Sequence, residues 1–484
     1  MIMVLAVQLS CSAPKNKNAL TAFESAFRFR DYETVKPLLA DDFTISVYTG
    51  KSTESMFKSI LKQYHQLDSL VEKNRNQNEL GEKINATCYF KGQKPFLTGV
   101  QFDQQGKILY VDLLDQLYRA FRNRPSKKVA TIPFEMIDGS IALEIKLNDT
   151  AEPFKMLFDT GADGMALSEA AASRANIKNI RDHQSSFVGS SSKVKFSSGN
   201  TIRLDSLEIP RQNLVVFPEI RGGFDGLFGG NFLSNYITRV DFDNGVIELF
   251  SFGQFEGKGK ALSVDYTHMV PVFDAKLSID GKKSVEGGFV FDTGAGYQII
   301  CFGPFVHENK LNMEFTPDYY SMNYSFGHPT RIAMGDIASV GMGDFTFDHV
   351  QGALQEYQED NTEWAFKAGS VGIDLIKKFN FTVDLLHKVI YLEPNEMFGL
   401  PTDLTISGLQ IGFERTGALV VREVVIGSEA AKNGIVPGTL ITMINGIEAE
   451  ELKNPDTMYD LRNKENSPYE IYLNDGERSM RITL

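Results

Sequence analysis

The chain has 484 residues, more than a single hydrophobic core normally organises, so several domains are expected. Hydrophobic residues make up 42% and charged residues 23% of the sequence, as in ordinary globular proteins. The formal net charge is -13, and no block of Lys and Arg interrupts the acidic background. Because phosphate recognition requires a basic surface, this composition argues against a nucleic-acid partner.

The N-terminus begins with a short apolar run that ends at Cys11 and is followed by the polar segment Ser12–Asn18. This arrangement resembles the end of a bacterial lipoprotein signal peptide, in which the cysteine is lipidated and becomes the mature N-terminus. The resemblance implies a lipidated Cys11, with a signal remnant and tether over residues 1–18. It also implies a lipid-anchored protein of a bacterial cell envelope, periplasmic or facing the outer membrane. The alternative is a frayed terminal segment.

Residues 19–121 are predicted to form an N-terminal α+β domain. Apolar spacing favours helices over Ala19–Phe29 and Tyr32–Leu39 and a strand over Asp41–Tyr48. Within residues 94–112, two alternating segments flank a glycine turn, which is typical of a β-hairpin. This order resembles the nuclear-transport-factor-two-like fold, an α+β cone whose members include enzymes and inert spacers. No His/Asp pair is placed for chemistry, so we expect a spacer or binding role rather than an enzyme here.

An internal repeat occupies the middle of the chain. Each copy contains an apolar strand that leads into Asp-Thr-Gly-Ala, first at Asp159 and again at Asp292. Each copy then has an apolar segment that ends in glycine and opens a short helix, at Leu227–Gly229 and at Ser370–Gly372. The second copy carries serine where the first carries leucine. Because a repeated sequence indicates a repeated structural unit, two similar β-rich lobes are expected.

The Asp-Thr-Gly sequence suits acid–base chemistry when two copies of it meet. Each apolar strand delivers its aspartate to a rigid loop, and glycine lacks a Cβ, so two such loops can approach closely. The threonine hydroxyls can hydrogen-bond to the opposite loop. Two adjacent carboxyls cannot both ionise cheaply and therefore share one proton. The ionised carboxyl can then activate a water, while the protonated one stabilises the developing oxyanion.

The duplicated motif resembles those of retropepsin-like and pepsin-like aspartic proteases, over about residues 129–394. The resemblance implies two β-rich lobes over residues 129–252 and 262–394, a polypeptide substrate, and neither metal nor organic cofactor. It further implies that a monomer is sufficient for catalysis, since one chain supplies both aspartates. The site residues it implies are Asp159 and Asp292 as the catalytic dyad, supported by Thr160, Gly161, Thr293 and Gly294.

In aspartic proteases, a hairpin called the flap closes over the substrate. The candidate flap segments here are Val188–Ser192 and Tyr324–His328. Two alternatives to the protease interpretation stay open. Each Asp-Thr-Gly could be a β-turn that caps a strand. The chain could also be a catalytically silent protease-fold scaffold of the cell envelope that binds peptides, although both motifs are intact.

Residues 401–484 form a third kind of unit. The glycine-rich opening Gly408–Phe413 and the Ile-Asn-Gly turn at Ile444–Gly446 resemble those of a bacterial PDZ domain. The resemblance implies that the C-terminal end of a partner or substrate adds as a strand beside residues 409–413, opposite a helix near Asp456–Arg462. The expected peptide-binding residues are Leu409, Ile411, Phe413, Met458 and Leu461. The alternative is that these apolar side chains fill the core of the unit.

Together, these patterns predict a multi-domain, mainly β protein with an N-terminal α+β cone, two β-rich aspartic-protease lobes and a C-terminal PDZ domain. The expected function is that of an exported, lipid-anchored aspartic endopeptidase whose PDZ domain recruits peptide termini. The remaining cysteines, Cys88 and Cys301, are expected to be small buried hydrophobic residues.

Overall fold

The computed structural model describes residues 15–187, 190–205, 207–220, 222–266, 270–325, 328–358, 367–462, 468–474 and 479–483. These residues divide into two compact units: the described residues up to Lys127 with Ser251–Phe255, and Lys128–Phe250 with the residues from Glu256 onward. The fold is mainly β, with an α+β N-terminal region and two β lobes, which confirms the predicted fold class at this level. Among the described residues, no helix is both long and apolar enough to cross a bilayer.

The first unit packs its helices on a four-stranded antiparallel sheet of order β1-β2-β3-β4. Its elements are α1 (Lys15–Phe29), α2 (Gly50–Gln63), β1 (Leu67–Asn78), β2 (Gly81–Phe90), β3 (Phe96–Phe102), β4 (Ile108–Val111) and α3 (Asp112–Leu117). The predicted hairpin is β3–β4. The helix predicted over Tyr32–Leu39 is only a 3-10 turn at Lys36–Leu38, because Leu39 is already extended. Buried phenylalanines from both long helices, including Phe23, Phe27 and Phe57, pack in the core together with apolar residues of the sheet.

The prediction of a strand over Asp41–Tyr48 is wrong, because this segment forms only an isolated bridge between Ile45 and Tyr48. Ser46 adopts a left-handed φ of 56°, which interrupts an extended strand. Its N–H donates to Oδ1 of the buried Asp115 at 2.6 Å, and Arg122 donates to Oδ2 of the same carboxylate, also at 2.6 Å. This long-range network requires a turn at Ser46 and overrides the local strand propensity.

Thirteen elements build the first lobe, in the second unit. They are β5 (Lys128–Pro133), β6 (Glu135–Ile137), β7 (Ser140–Leu147), β8 (Phe154–Phe158), β9 (Met165–Ser168), α4 (Glu169–Arg174), β10 (Arg181–Phe187), β11 (Ser190–Leu204), β12 (Leu207–Phe217), β13 (Gly226–Phe228), α5 (Gly230–Leu233), β14 (Ile237–Asp241) and β15 (Val246–Phe250). Their main sheet has the order β10-β11-β12-β9-β13-β8-β7-β6, and β11 also pairs with β7.

The second lobe repeats this arrangement. Its elements are β16 (Lys260–Ser263), β17 (Val272–Ser278), β18 (Ser284–Asp292), β19 (Ile299–Cys301), α6 (Gly303–Asn309), β20 (Pro317–Ser325), β21 (His328–Met342), β22 (Phe345–Gln355), β23 (Gly369–Gly372), α7 (Ile373–Ile376), β24 (Phe379–Asp384) and β25 (Val389–Pro394). The sheet order β17-β18-β23-β19-β22-β21-β20, with an added β17–β21 pairing, matches the first lobe strand for strand except for β6. The repeat in the sequence is therefore also a structural repeat.

A third sheet joins the two lobes. Its order is β16-β25-β24-β14-β15-β5, so each lobe supplies three strands. The central pairing is antiparallel between β14 and β24, where Thr238 lies opposite Val383. This shared sheet holds the lobes in a common frame, because displacing one lobe from the other requires breaking backbone hydrogen bonds at its centre.

The C-terminal region is a sheet of order β26-β27-β28-β29-β31-β32, with β30 paired to β29. Its elements are β26 (Leu404–Ile406), β27 (Leu409–Phe413), β28 (Leu419–Val424), α8 (Glu429–Lys432), β29 (Leu440–Ile444), β30 (Ile447–Glu448), α9 (Pro455–Asp460), β31 (Glu470–Asn474) and β32 (Ser479–Thr483). It packs on the second lobe: Arg462 pairs with Asp336 at 2.8 Å and with Asp318, and Tyr459 stacks on His349.

Candidate active site

Equivalent strands carry the two Asp-Thr-Gly loops. Strand β8 leads directly into Asp159, and β18 ends at Asp292. Each strand pairs in parallel with the short strand that precedes the lobe's small helix, β8 with β13 and β18 with β23. The Asp159 N–H donates to the carbonyl oxygen of Phe228 at 3.1 Å, which ties the first loop to β13. The large apolar side chains Phe158 and Phe291 are fully buried and anchor the strands below the loops.

Two glycines behind the loops permit this close packing. A Cβ on Gly229 would lie 1.5 Å from the carbonyl oxygen of Asp159, and one on Gly372 would lie 2.2 Å from the carbonyl oxygen of Tyr297. No side chain fits at either position without moving backbone. The apolar segments that end in these glycines, noted as a repeat in the sequence, therefore support the aspartate loops from behind.

The two loops are joined by a symmetric set of threonine hydrogen bonds. The Thr160 N–H donates to Thr293 Oγ1, and the Thr293 N–H donates to Thr160 Oγ1, both at 3.0 Å. The Thr160 hydroxyl donates to the Phe291 carbonyl at 2.5 Å, and the Thr293 hydroxyl donates to the Phe158 carbonyl at 2.9 Å. Both threonines are completely buried. The tertiary structure thus brings together the loop residues that the sequence singled out.

The glycines inside the motifs bring the two carboxyls together. A Cβ on Gly161 would lie 2.5 Å from Asp292 Cγ, and one on Gly294 would lie 2.3 Å from Asp159 Cγ, so each glycine backbone packs against the opposite carboxyl. Each glycine N–H also donates to Oδ1 of its own aspartate, at 2.8 Å in the first loop and 3.0 Å in the second. The two carboxyls therefore lie side by side, close enough to share one proton.

Burial and mutual repulsion determine the protonation of this pair. Burial raises the pKa of Asp159 well above its usual value, and the neighbouring charge of Asp292 raises it further. Burial also raises the pKa of Asp292, and a glycine N–H favours the ionised form of each carboxyl, but only Asp292 also has the Ser370 hydroxyl favouring its ionised form. Because ionisation of one carboxyl opposes ionisation of the other, the pair is expected to share one proton.

The raised pKa of Asp159 predicts a specific pH dependence of stability. Its contribution to the free energy of unfolding is fully present below the unfolded-state pKa, about 4, and is lost as the pH rises through the higher folded-state pKa. We expect Asp159→Asn, which cannot ionise, to flatten the fall in unfolding free energy above that pH. Urea denaturation of the wild type and the variant at a series of pH values measures how the unfolding free energy of each depends on pH. Parallel curves for the variant and the wild type would contradict a raised pKa.

The structure places the predicted peptide-binding residues of the C-terminal region in its core. The residues Leu409, Ile411, Phe413, Met458 and Leu461 are each at most 2% exposed and belong to one apolar cluster. The strand that carries the first three, β27, is paired on both sides, with β28 and with β26. Because residues 404–406 already lie beside residues 409–411, no free strand edge is present there.

Parts of other sequence-predicted sites fall outside the described residues. The flap candidates correspond to the β10–β11 and β20–β21 hairpins, which are paired up to Phe187–Ser190 and Ser325–His328. Residues 188–189 and 326–327, at the tips of these hairpins, lie outside the described ranges, as does Cys11.

Cys88 and Cys301 are buried, as predicted, and burial raises the pKa of each thiol to about 12.

Sequence analysis did not assign a role to Ser370 or Tyr297, which lie beside the second loop. The Ser370 hydroxyl donates to Asp292 Oδ2 at 3.2 Å. The only sequence feature that marked Ser370 was a serine where the first copy of the repeat has an apolar residue.

Within the described parts of the chain, no group of three or more His, Cys, Asp or Glu side chains is arranged to hold a metal ion.

Comparison with known families supports an aspartic-protease type of site. The aspartyl protease family model matches residues 143–232, which run from β7 through the first Asp-Thr-Gly loop to α5. A search of curated proteins found no match to this chain. The family match lies within the first lobe, and the second lobe repeats the strand order of the first.

Proposed function

We propose that this chain is an aspartic endopeptidase that hydrolyses peptide bonds with a water activated by Asp159 and Asp292. The observation that carries the proposal is the meeting of two Asp-Thr-Gly loops, joined by four buried threonine hydrogen bonds, with their carboxyls in contact. The family match to residues 143–232 supports the same reaction class. Since one chain contributes both aspartates, a monomer is sufficient.

The proposed reaction begins with one ionised and one protonated carboxyl. The ionised carboxylate removes a proton from a bound water, whose oxygen bonds to the peptide carbonyl carbon. The protonated carboxyl donates its proton to the carbonyl oxygen, which yields a tetrahedral diol. Proton transfer to the amide nitrogen then allows the C–N bond to break. The diol returns a proton to the dyad as the carboxyl product forms, and the activity has a bell-shaped pH profile.

A peptide-library digest, with and without a statine-type inhibitor, tests this proposal. We expect internal cleavage of peptides that the inhibitor suppresses. Asp274→Asn is a suitable control in every assay, because Asp274 is exposed on β17 of the second lobe. Binding of peptides without cleavage under all pH conditions would instead favour the silent scaffold.

For the C-terminal region we propose recognition of peptide C-termini, as its resemblance to a PDZ domain implies. Since β26 pairs with β27, a peptide can add beside β27 only when β26 leaves. We therefore expect weak binding to the intact chain and at least about tenfold tighter binding to Thr405→Pro, because proline disfavours strand pairing. Calorimetry of the intact chain and of Thr405→Pro against a C-terminal peptide library measures the two affinities. If neither protein binds at millimolar peptide, the proposal is rejected.

We also propose that Cys11 is acylated and anchors the protein to a membrane of the bacterial cell envelope. The support is the apolar run before Cys11 and the polar tether after it. Metabolic labelling with a fatty acid should label the wild type and leave Cys11→Ser unlabelled, while Cys88→Ser keeps the label. Label retained in Cys11→Ser would refute lipidation at this residue.

A further inference from the structure

We propose that Ser370 is a positioning residue that sets the charge asymmetry of the dyad. Its hydroxyl holds Asp292 as the ionised partner, so the shared proton resides on Asp159. This inference rests on the proposed protease function and assigns each aspartate its part in it. Ser370 acts through Asp292 rather than by touching substrate.

Strand register identifies the counterpart of Ser370 in the first lobe. Ser370 on β23 lies opposite Val290 on β18, two residues before Asp292. In the first lobe, Leu227 on β13 lies opposite Leu157 on β8, two residues before Asp159. Leu227 and Ser370 therefore occupy equivalent positions. An isobutyl side chain cannot donate a hydrogen bond, whereas the Ser370 hydroxyl donates to Asp292 Oδ2 at 3.2 Å.

The other described hydrogen bonds of the two loops are symmetric. Both aspartates accept a hydrogen bond from the glycine N–H two residues later, and both threonines make the same pair of bonds to the other loop. Among the described contacts of the two carboxyls, the Ser370 hydrogen bond has no counterpart. Because a hydrogen-bond donor stabilises a carboxylate more than a carboxylic acid, this one contact favours ionisation of Asp292 over Asp159.

Tyr297 reinforces the orientation of the Ser370 hydroxyl. Its phenol lies beside Ser370, and burial, followed by the charge of Asp292, raises the pKa of Tyr297 well above its usual value. The phenol therefore stays protonated and can donate. Because the single Ser370 proton is given to Asp292, Ser370 can only accept from Tyr297. The equivalent residue of the first loop is Gly164, whose Cβ position has open space around it.

The asymmetry assigns the steps of hydrolysis. Asp292, as the carboxylate, accepts the proton of the attacking water, while the new bond forms between the water oxygen and the carbonyl carbon. Asp159, as the acid, donates its proton to the carbonyl oxygen. In the second step, the proton on Asp292 passes to the leaving nitrogen as the C–N bond breaks, and Asp159 regains a proton from the diol. The net reaction consumes one water and regenerates the starting protonation state.

The pH profile of kcat/KM for Ser370→Ala tests the inference. Removing the donor makes Asp292 harder to ionise, so we expect the acid limb to move to higher pH. At a pH on that limb, kcat/KM should fall about tenfold, the size expected for a lost hydrogen bond to a charged group. Ser370→Thr, which keeps a hydroxyl, should restore the wild-type limb. Tyr297→Phe should shift the limb in the same direction by less.

Ser278→Ala provides the matched control. Ser278 is a buried serine of the same lobe whose hydroxyl donates to the Lys283 carbonyl at 2.7 Å, so its loss should leave the acid limb in place. An acid limb of Ser370→Ala that coincides with the wild type, or an activity that falls equally at every pH, would overturn the inference. If Ser370→Ala folds poorly, an unshifted limb for Tyr297→Phe overturns it instead. Cleavage retained by Asp292→Asn would refute the proposed protease mechanism itself, which is a distinguishable result.

Discussion

Asp159→Asn and Asp292→Asn should each reduce proteolysis by at least about a thousandfold, because either change removes the shared-proton pair. Asparagine has nearly the shape of aspartate and keeps the acceptor for the glycine N–H in its own loop. The free energy of unfolding at low pH should therefore change by no more than about 1 kcal/mol. The double variant should be scarcely less active than either single variant, since residues that act as a unit are strongly non-additive. Steady-state cleavage of a fluorogenic peptide measures the activity of the two single variants and the double variant, and urea denaturation at low pH measures their stability.

The pattern across the variants separates the possible mechanisms. Activity in Asp274→Asn must match the wild type, because that exposed side chain lies on β17, outside the dyad. If Asp292→Asn cleaves as well as the wild type while Asp159→Asn is inactive, the second lobe is only a scaffold. The enzyme would then have to pair Asp159 with its copy in another molecule, as homodimeric retropepsins do. If neither variant changes an authentic activity, the protease proposal is wrong.

Thr293→Val should destabilise the two-lobed unit by about 3 kcal/mol and abolish activity. Valine has the shape of threonine but lacks the hydroxyl, so the buried N–H of Thr160 and carbonyl of Phe158 lose their partner. Each buried polar group left without a partner costs about 1–3 kcal/mol. The loops would also no longer be tied together, and the carboxyls would lose the spacing that proton sharing requires.

Thr293→Ser is the matched variant for this test, because it keeps the hydroxyl and removes only a methyl group. It should retain most of the stability and activity. Urea denaturation monitored by circular dichroism measures the stability, and peptide cleavage measures the activity. Equal stability of Thr293→Val and Thr293→Ser would show that the cross-loop hydrogen bonds do not hold the lobes together.

The sequence by itself determined the main features of the β lobes and the candidate dyad. Alternating apolar residues specify strands because side chains in a strand point to opposite faces, and this pattern is local. The repeated Asp-Thr-Gly-Ala motif and its glycine-terminated partner segments are also local, and symmetric pairing of equal units follows from them. The structure accordingly brings Asp159 and Asp292 into contact through Thr160 and Thr293.

Only the tertiary structure decided the features that depend on residues distant in the chain. Ser46 forms a turn rather than a strand because Asp115 accepts its N–H, a contact across 69 positions. The edge of β27 is covered because β26 folds back on it. Ser370 donates to Asp292 from 78 positions away, so the sequence alone shows only a serine where the first copy of the repeat has a leucine. Periodicity and motifs report which face of an element is apolar, but a single polar side chain acquires its role from the partner that folding places beside it.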